Sequence, residues 1–333
     1  MKLNEQLTRK RNHIILTLVF ILIGTSVYLT ILINVNQKSS DGFPDFITKT
    51  SDYYITRIND VPNINPDSYR LLVRGQINNP KNFTLSELLA LPLTERTLTT
   101  ECIGNPPKGP LLSTAIWKGF LVYDLLDSMG LKANATGVKY LAADGYYVSN
   151  TIDQIRDNGT IGALYMNNKI LPPEQGFPIR IVNPGSYGAK QPAWVIEMEV
   201  IDKPLEDYWD DKGWDTSPPM EVDSTIFFPK DNINVKVGVP FDIGGAAFGG
   251  TRIRKIEYII DGNLNWSQAT IVKSLDLDHV WIFWKITIIF EQLGSYTIYT
   301  KATDIYNNSQ PQIDLNIFDG NNGWPSLLIN VVE

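Results

Sequence analysis

The chain is expected to fold as an α+β domain followed by an all-β, immunoglobulin-like sandwich, with one N-terminal transmembrane helix ahead of both. Three observations lead there. Residues 14–35 form an apolar run without charge, residues 51–203 mix short strands with short capped helices, and residues 220–333 carry strand patterns without a helical period. Helices confined to one region and strands to the next mark an α+β unit and a separate β unit, not a regular βαβ alternation. A length of 333 residues, 43% of them hydrophobic, suits two packed domains.

The N-terminal run is uncharged from Ile14 to Ile33. At about 1.5 Å per residue a helix of that length crosses a hydrocarbon core of about 30 Å. No small-residue cleavage site follows it, so it reads as an uncleaved anchor and not a signal peptide. Lys2, Arg9, Lys10 and Arg11 precede it. Positive residues stay cytoplasmic, which makes 1–13 a cytoplasmic tail and places the rest of this single-pass chain outside the cell membrane. Residues 36–50, polar with Gly and Pro, are expected as a linker.

In the first outer domain, Tyr69–Gly75 reads as a strand ending at a glycine turn. Thr84-Leu85-Ser86-Glu87 is a capping box opening a helix that stops at Pro92. Leu121–Met129 is helical with Gly130 as its C-terminal cap, and Thr151-Ile152-Asp153-Gln154 repeats the capping box. Pro178–Val182 and Trp194–Val200 read as strands. Residues 204–219, rich in Asp and Trp, form a crossing segment stopped by Pro218-Pro219. Beyond it, Val235–Phe241, Ile253–Ile260, Val280–Phe290 and Tyr296–Ala302 are strands separated by turn residues such as Asp261-Gly262. Several short strands over such a span argue for a sandwich, here without a disulfide.

Composition excludes several functions. The net charge is −7, and the tail is positive, so the outer part carries about −10 and disfavours nucleic acid as a partner. Five Asn-x-Ser/Thr sequons begin at Asn82, Asn134, Asn158, Asn265 and Asn307, as in a chain exposed outside the cell. His279 is the sole histidine beyond the anchor, which removes a two-histidine zinc site. There is no haem-attachment motif, no cysteine set for an iron–sulfur cluster and no Walker loop. The glycine-rich run Gly244–Gly250 reads as close strand packing, not phosphate binding. One soft ligand remains: Cys102, the chain's single cysteine, in the loop sequence Glu101-Cys102-Ile103-Gly104-Asn105.

The order of motifs around that cysteine resembles the molybdopterin-dependent sulfite oxidase superfamily. Cys102-Ile103-Gly104-Asn105 is followed by Ala115-Ile116-Trp117-Lys118-Gly119, Ala143-Asp144-Gly145-Tyr146, Gly176-Phe177-Pro178-Ile179-Arg180 and Pro184-Gly185-Ser186-Tyr187-Gly188-Ala189-Lys190. In the β domain, Ala246-Ala247-Phe248-Gly249-Gly250, Lys301-Ala302-Thr303-Asp304 and Asn321-Asn322-Gly323-Trp324 resemble the superfamily's dimerisation domain. The resemblance implies that Cys102 is both the catalytic thiolate and the protein ligand of a molybdenum–molybdopterin cofactor, with tungsten as the alternative metal. It implies that Asn59, Arg180 and Lys190 contact the pterin or its phosphate and that Asp144 shapes the pocket. Oxygen-atom transfer on a small substrate, a separate electron-transfer partner and a homodimer follow from the same resemblance. Trp281, Phe283 and Trp284 are candidates for the dimer's apolar surface or for the sandwich core.

Departures from the family pattern bear on the substrate. Gln175 stands where the family usually has His, Ala193 where it usually has Lys, and Pro106-Pro107 where animal sulfite oxidases carry two Arg. Losing those positive charges disfavours a doubly negative sulfite pocket, so a sulfite dehydrogenase stands only as the narrower alternative. A non-enzymatic cell-surface binding protein, using the immunoglobulin-like module, is the alternative from another class.

Overall fold

In a computed structural model the chain is described over residues 42–333 apart from 204 and 206, together with two backbone strands nearer the N-terminus. These strands, β1 (His13–Leu22) and β2 (Thr25–Asn34), pair antiparallel with Ile14 opposite Ile33. They stand where a transmembrane helix was expected over residues 14–35, and among the described residues no helix is long and apolar enough to cross a membrane. The run is rich in Ile, Val and Thr, whose branched side chains lose rotamer freedom in a helix and favour strands. The expected cytoplasmic tail, but for His13, lies outside the described residues, as does the linker up to residue 41.

From Gly42 onward the expected linker is a packed strap. Phe43 and Phe46 are 6% and 5% exposed, Phe43 stacks on Phe283 at 5.1 Å, and the Thr48 amide donates to the Thr114 carbonyl at 2.7 Å. Two buried phenylalanines three residues apart give a polar-looking segment enough apolar area to fasten it down.

The first domain holds two five-stranded sheets. Its strands are β3 (Arg70–Gly75), β4 (Lys81–Thr84), β5 (Thr94–Glu101), β6 (Leu112–Leu121), β7 (Gly137–Ala142), β8 (Tyr147–Thr151), β9 (Ile161–Met166), β10 (Lys169–Ile170), β11 (Arg180–Val182) and β12 (Val195–Ile201). One sheet runs β4-β3-β12-β7-β8, with β12 parallel to β3; the other runs β10-β9-β6-β5, with β11 also on β9. Helix α1 (Leu85–Leu89) starts at the expected capping box, since the Thr84 hydroxyl accepts from the Glu87 amide and Glu87 accepts from the Thr84 amide. Helix α2 (Val122–Ser128) buries Leu125 and Leu126, and α3 (Ile152–Asp157) opens on the second capping box. Strand alternation makes the second sheet two-faced. Leu164 of β9 joins the main core with Leu71, Phe120, Val138 and Met198, while Ile161 and Ala163 face a smaller core with Trp117, Tyr53 and Tyr54. The functional cavity grows from that smaller core.

The second domain is the expected sandwich. Its strands are β13 (Asp223–Phe228), β14 (Ile233–Lys236), β15 (Phe241–Phe248), β16 (Ile253–Ile260), β17 (Ser267–Gln268), β18 (Thr270–Lys273), β19 (Ile282–Ile288), β20 (Gly294–Asp304) and β21 (Ser326–Val332). Sheets β13-β15-β19-β18 and β14-β21-β20-β16-β17 enclose a core of Ile243, Ile256, Trp284, Ile298 and Ile329. The single strand expected over Val235–Phe241 is two, because Gly238 turns with φ +75° between β14 and β15. The glycine-rich run begins inside β15, where a Cβ on Gly245 would sit 1.8 Å from the Thr225 carbonyl. Close strand packing explains it.

Trp281, Phe283 and Trp284 are all buried within one protomer, which rules them out as an exposed dimer surface. Trp284 fills the sandwich core, whereas Trp281 and Phe283 join Phe43, Phe46, Ile103, Tyr187 and Trp214 in a cluster between the domains. The Thr99 amide donates to the His279 carbonyl at 2.8 Å, and the Trp281 amide to the Thr99 hydroxyl at 2.8 Å. These bonds seat β5, the strand leading to Cys102, directly on the second domain.

Candidate active site

Cys102 leaves β5 into a loop closed at its base. Its amide donates to the Leu111 carbonyl at 3.0 Å, and its carbonyl accepts from the Asn105 amide at 2.8 Å. The buried Asn105 side chain accepts from the Leu111 amide at 3.0 Å and donates to Glu101 at 2.9 Å. The Asn of the motif thus braces the loop that presents the thiol. Burial pushes the half-buried Cys102 thiol up to about 11, so the free chain holds it protonated until something displaces the proton.

The thiol opens into a cavity with about 1160 Å³ of empty space, counted out to its mouth. Three segments build the walls: Tyr54–Ile58 after the strap, Asp144 and Tyr146 in the β7–β8 turn, and Gly188, Ala189 and Gln191–Trp194 before β12. Trp209 and Trp214 of the crossing segment stand at the side. The Tyr146 hydroxyl donates to the Ala189 carbonyl at 2.6 Å, joining two of these walls. Trp194 takes φ +54°, rare for an aromatic residue, and its indole donates to the Pro173 carbonyl at 2.7 Å. Local strain at the wall is held by that bond and by the Gly176 carbonyl, which accepts from the Trp194 amide at 3.2 Å.

The residues singled out in the sequence separate here. Cys102, Asp144 and Arg180 line the cavity. Asn59 lies just outside and donates its amide to the Asp144 carbonyl at 2.7 Å, fixing that turn. Asp144 accepts from the Tyr146 amide at 3.0 Å, and partial burial raises its carboxyl above the usual range. Lys190 is not brought to the cavity wall. Its ammonium is buried in an ion pair with Asp207 and donates to the Ser149 carbonyl at 3.0 Å. A residue outside those expectations, Arg57, lines the cavity and has no ion-pair partner among the described residues. Its position just after the aromatic pair Tyr53-Tyr54 was the available signal.

A polar group is missing a partner at the back of this cavity. The Arg180 guanidinium lies over the Trp117 ring at 5.6 Å and its Nη1 reaches the Gln175 carbonyl at 3.4 Å, yet its buried Nε has no partner. The Tyr54 hydroxyl and Gln175 Oε1 are likewise buried without one. Each such group costs about 1–3 kcal/mol if left so. Gly188 lets the backbone pass close to the Tyr54 hydroxyl, since a Cβ there would lie 2.6 Å from it. Tyr54, Arg57 and Arg180 on the cavity wall supply a hydroxyl and two cations that fit the polar edge and phosphate of a pterin. Among the described residues no three His, Cys, Asp or Glu side chains converge to hold a metal ion. A metal here must bring most of its own donors, as a dithiolene does, and take one thiolate from the chain.

Comparison with known proteins agrees with this geometry. The profile of the oxidoreductase molybdopterin binding domain matches residues 58–209, and that of the Mo-co oxidoreductase dimerisation domain matches residues 216–330. The mitochondrial sulfite oxidase of Rattus norvegicus is 27% identical over 342 residues, covering 86% of this chain and 62% of that protein. The NADH nitrate reductase of Solanum lycopersicum is 24% identical over 361 residues, covering 86% of this chain and 39% of that one. The chain thus spans about two-fifths to three-fifths of the length of these relatives. In fold it is similar to the sulfane dehydrogenase SoxCD of Paracoccus pantotrophus, with TM-score 0.77 and 20% identity over 96% of this chain and 91% of that one.

Proposed function

Since this chain belongs to the sulfite oxidase superfamily of molybdopterin oxidoreductases, we propose that it catalyses oxygen-atom transfer on a small substrate at the Cys102 cavity. The balance is substrate plus water giving oxygenated substrate, two protons and two electrons, or the reverse. The observation that carries the reading is the thiol of Cys102 set in one cavity with the unpartnered Arg180 Nε and Tyr54 hydroxyl. When bound, the molybdenum–pterin group supplies the two-electron chemistry. The chain's own residues do the rest. Cys102 would hold the metal through its thiolate, giving up its proton to do so. Arg180 and the Tyr54 hydroxyl would hold the cofactor's polar edge. Arg57 would supply a cation to an anionic group, while Trp194, Trp209 and Trp214 exclude water. Asp144, with its raised carboxyl, is placed to hold one of the protons exchanged.

Ile55, Ile58, Leu111, Ala193 and the three tryptophans make most of the wall apolar, which favours a substrate with an apolar body. Sulfite is the second reading. Arg57 and Arg180 in the cavity favour it, whereas Pro106 and Pro107 stand outside the wall and add no charge. Two electrons per turnover leave through an external carrier, and pairing of two copies follows the dimerisation domain. Residues 14–35 are proposed to anchor the chain with its domains outside the cytoplasm. A lone strand pair leaves its edge backbone groups unsatisfied in lipid, so a bilayer selects the helical form of that run. Carbonate washing that strips the full chain from membranes would remove this part of the reading.

The deciding experiment loads the full chain in a host that makes the pterin. Near one molybdenum or tungsten per chain is expected, with redox activity lost in Cys102→Ser. Sulfite-dependent reduction of ferricyanide separates the two substrate readings. A folded parent without metal or pterin returns the chain to the surface-binding alternative.

A further inference from the structure

Beside the cavity mouth the second domain carries a loop with an unusual surface. Ile313, Leu315 and Ile317 are 69%, 95% and 52% exposed, and Phe318 is partly exposed. Scattered exposed apolar residues need no explanation; four within six positions do. The base of this loop is fixed. The Asp215 amide donates to the Phe318 carbonyl at 3.0 Å, and Gly320 lies so close to Tyr187 that a Cβ would sit 2.1 Å from its hydroxyl. The apolar tip is therefore displayed by a rigid support.

Two further features surround it. Phe318 meets Trp214 edge-on at 5.5 Å, and Trp214, 6.5 Å from Trp209, lines the catalytic cavity. One aromatic wall thus faces the site on one side and the loop on the other. Glu221, Asp314 and Asp319 lie around a groove with Ile313 and Leu315, and none has an ion-pair partner among the described residues. Burial and the charges of Asp319 and Asp314 raise the Glu221 carboxyl, a sign that these groups share one negative field.

We propose that the loop from Gln312 to Gly320, with the carboxylates along its groove that carry no compensating cation among the described residues, is the docking surface for a basic one-electron carrier protein. This rests on the oxidoreductase reading above. Each docking passes one electron to the carrier, so two encounters clear the two electrons of one substrate oxidation. Carboxylates beside the exposed Ile313 and Leu315, without an ion pair among the described residues, attract a partner with cations beside an apolar face. A second copy of this chain fits poorly, because an isologous contact through the loop sets the same three carboxylates against each other.

The test uses the full chain, a basic c-type cytochrome as probe, an acidic plastocyanin as control, and the variant Leu315→Ser/Asp319→Asn. Binding of ferric cytochrome is expected to weaken about tenfold in the variant. It should hold in Asp127→Asn, which removes an acid from α2. It should weaken in the parent as salt rises from about 20 to about 200 mM, with no plastocyanin binding. Reoxidation of the dithionite-reduced holoenzyme by cytochrome should fall in step, with oxidation by ferricyanide unchanged. Equal cytochrome affinity in parent and variant overturns the proposal. So does loss of a dimer in the variant by light scattering, which assigns the loop to a second copy. A chain that takes no metal defeats the functional reading, and the binding arm still decides the docking surface.

Discussion

Replacing Lys190 by Met separates a structural role from a cofactor role. Lys190 and Asp207 are 4% and 2% exposed at the side chain, so removing the ammonium leaves a carboxylate in the interior. Breaking one side of a buried pair costs about 3–5 kcal/mol. Asp207 keeps the Ser149 amide at 2.5 Å and shares the single Thr216 hydroxyl proton, at 2.9 Å, with Asp210 at 2.7 Å, which holds the cost to about 3–4 kcal/mol. Lys190→Met/Asp207→Asn removes both charges and keeps an acceptor for the Ser149 amide, so it should recover about 2 kcal/mol of that loss. Urea unfolding of the cofactor-free chain, followed by tryptophan fluorescence, reads the stability. Metal per chain after loading reads the cofactor. Because Lys190 is off the cavity wall, the double variant should load like the parent. A single-variant cost under about 1 kcal/mol refutes the reasoning. A double variant that regains stability and stays empty also does, and returns Lys190 to the phosphate.

Two other outcomes follow from the same geometry. With its pKa pushed up to about 11, Cys102 in the cofactor-free chain should alkylate slowly, its rate rising about tenfold per pH unit from 7 to 10. A plateau near pH 8.5 would contradict the burial argument. Gly188→Ala places a Cβ 2.6 Å from the Tyr54 hydroxyl, so this cavity-lining ring must shift. Metal content should fall several-fold while the unfolding midpoint in urea shifts little, and full loading would show that the cofactor does not need that space.

What the sequence makes legible depends on how local the physics is. The capping boxes at Thr84 and Thr151 are legible because each is closed within four residues, and both form as expected. Cys102 stands out because the chain has one thiol, and Asn105 earns its place three residues later by bracing the same loop. Strand boundaries near Gly238 fail because periodicity alone does not register a positive φ. The strap at Phe43 and Phe46 looks like a linker until Phe283 and Trp281, some 240 positions away in the sequence, supply the surface it covers. Trp281, Phe283 and Trp284 show the same limit. Alternation in β19 says that neighbours face apart, yet here both faces are buried, one by the sandwich and one by the first domain. Lys190 is the sharpest case. A lysine in a glycine-rich motif suits a phosphate by chemistry, and only the fold reveals that Asp207 from the crossing segment reaches it first. Charge type can be read from a sequence; charge compensation belongs to the tertiary structure.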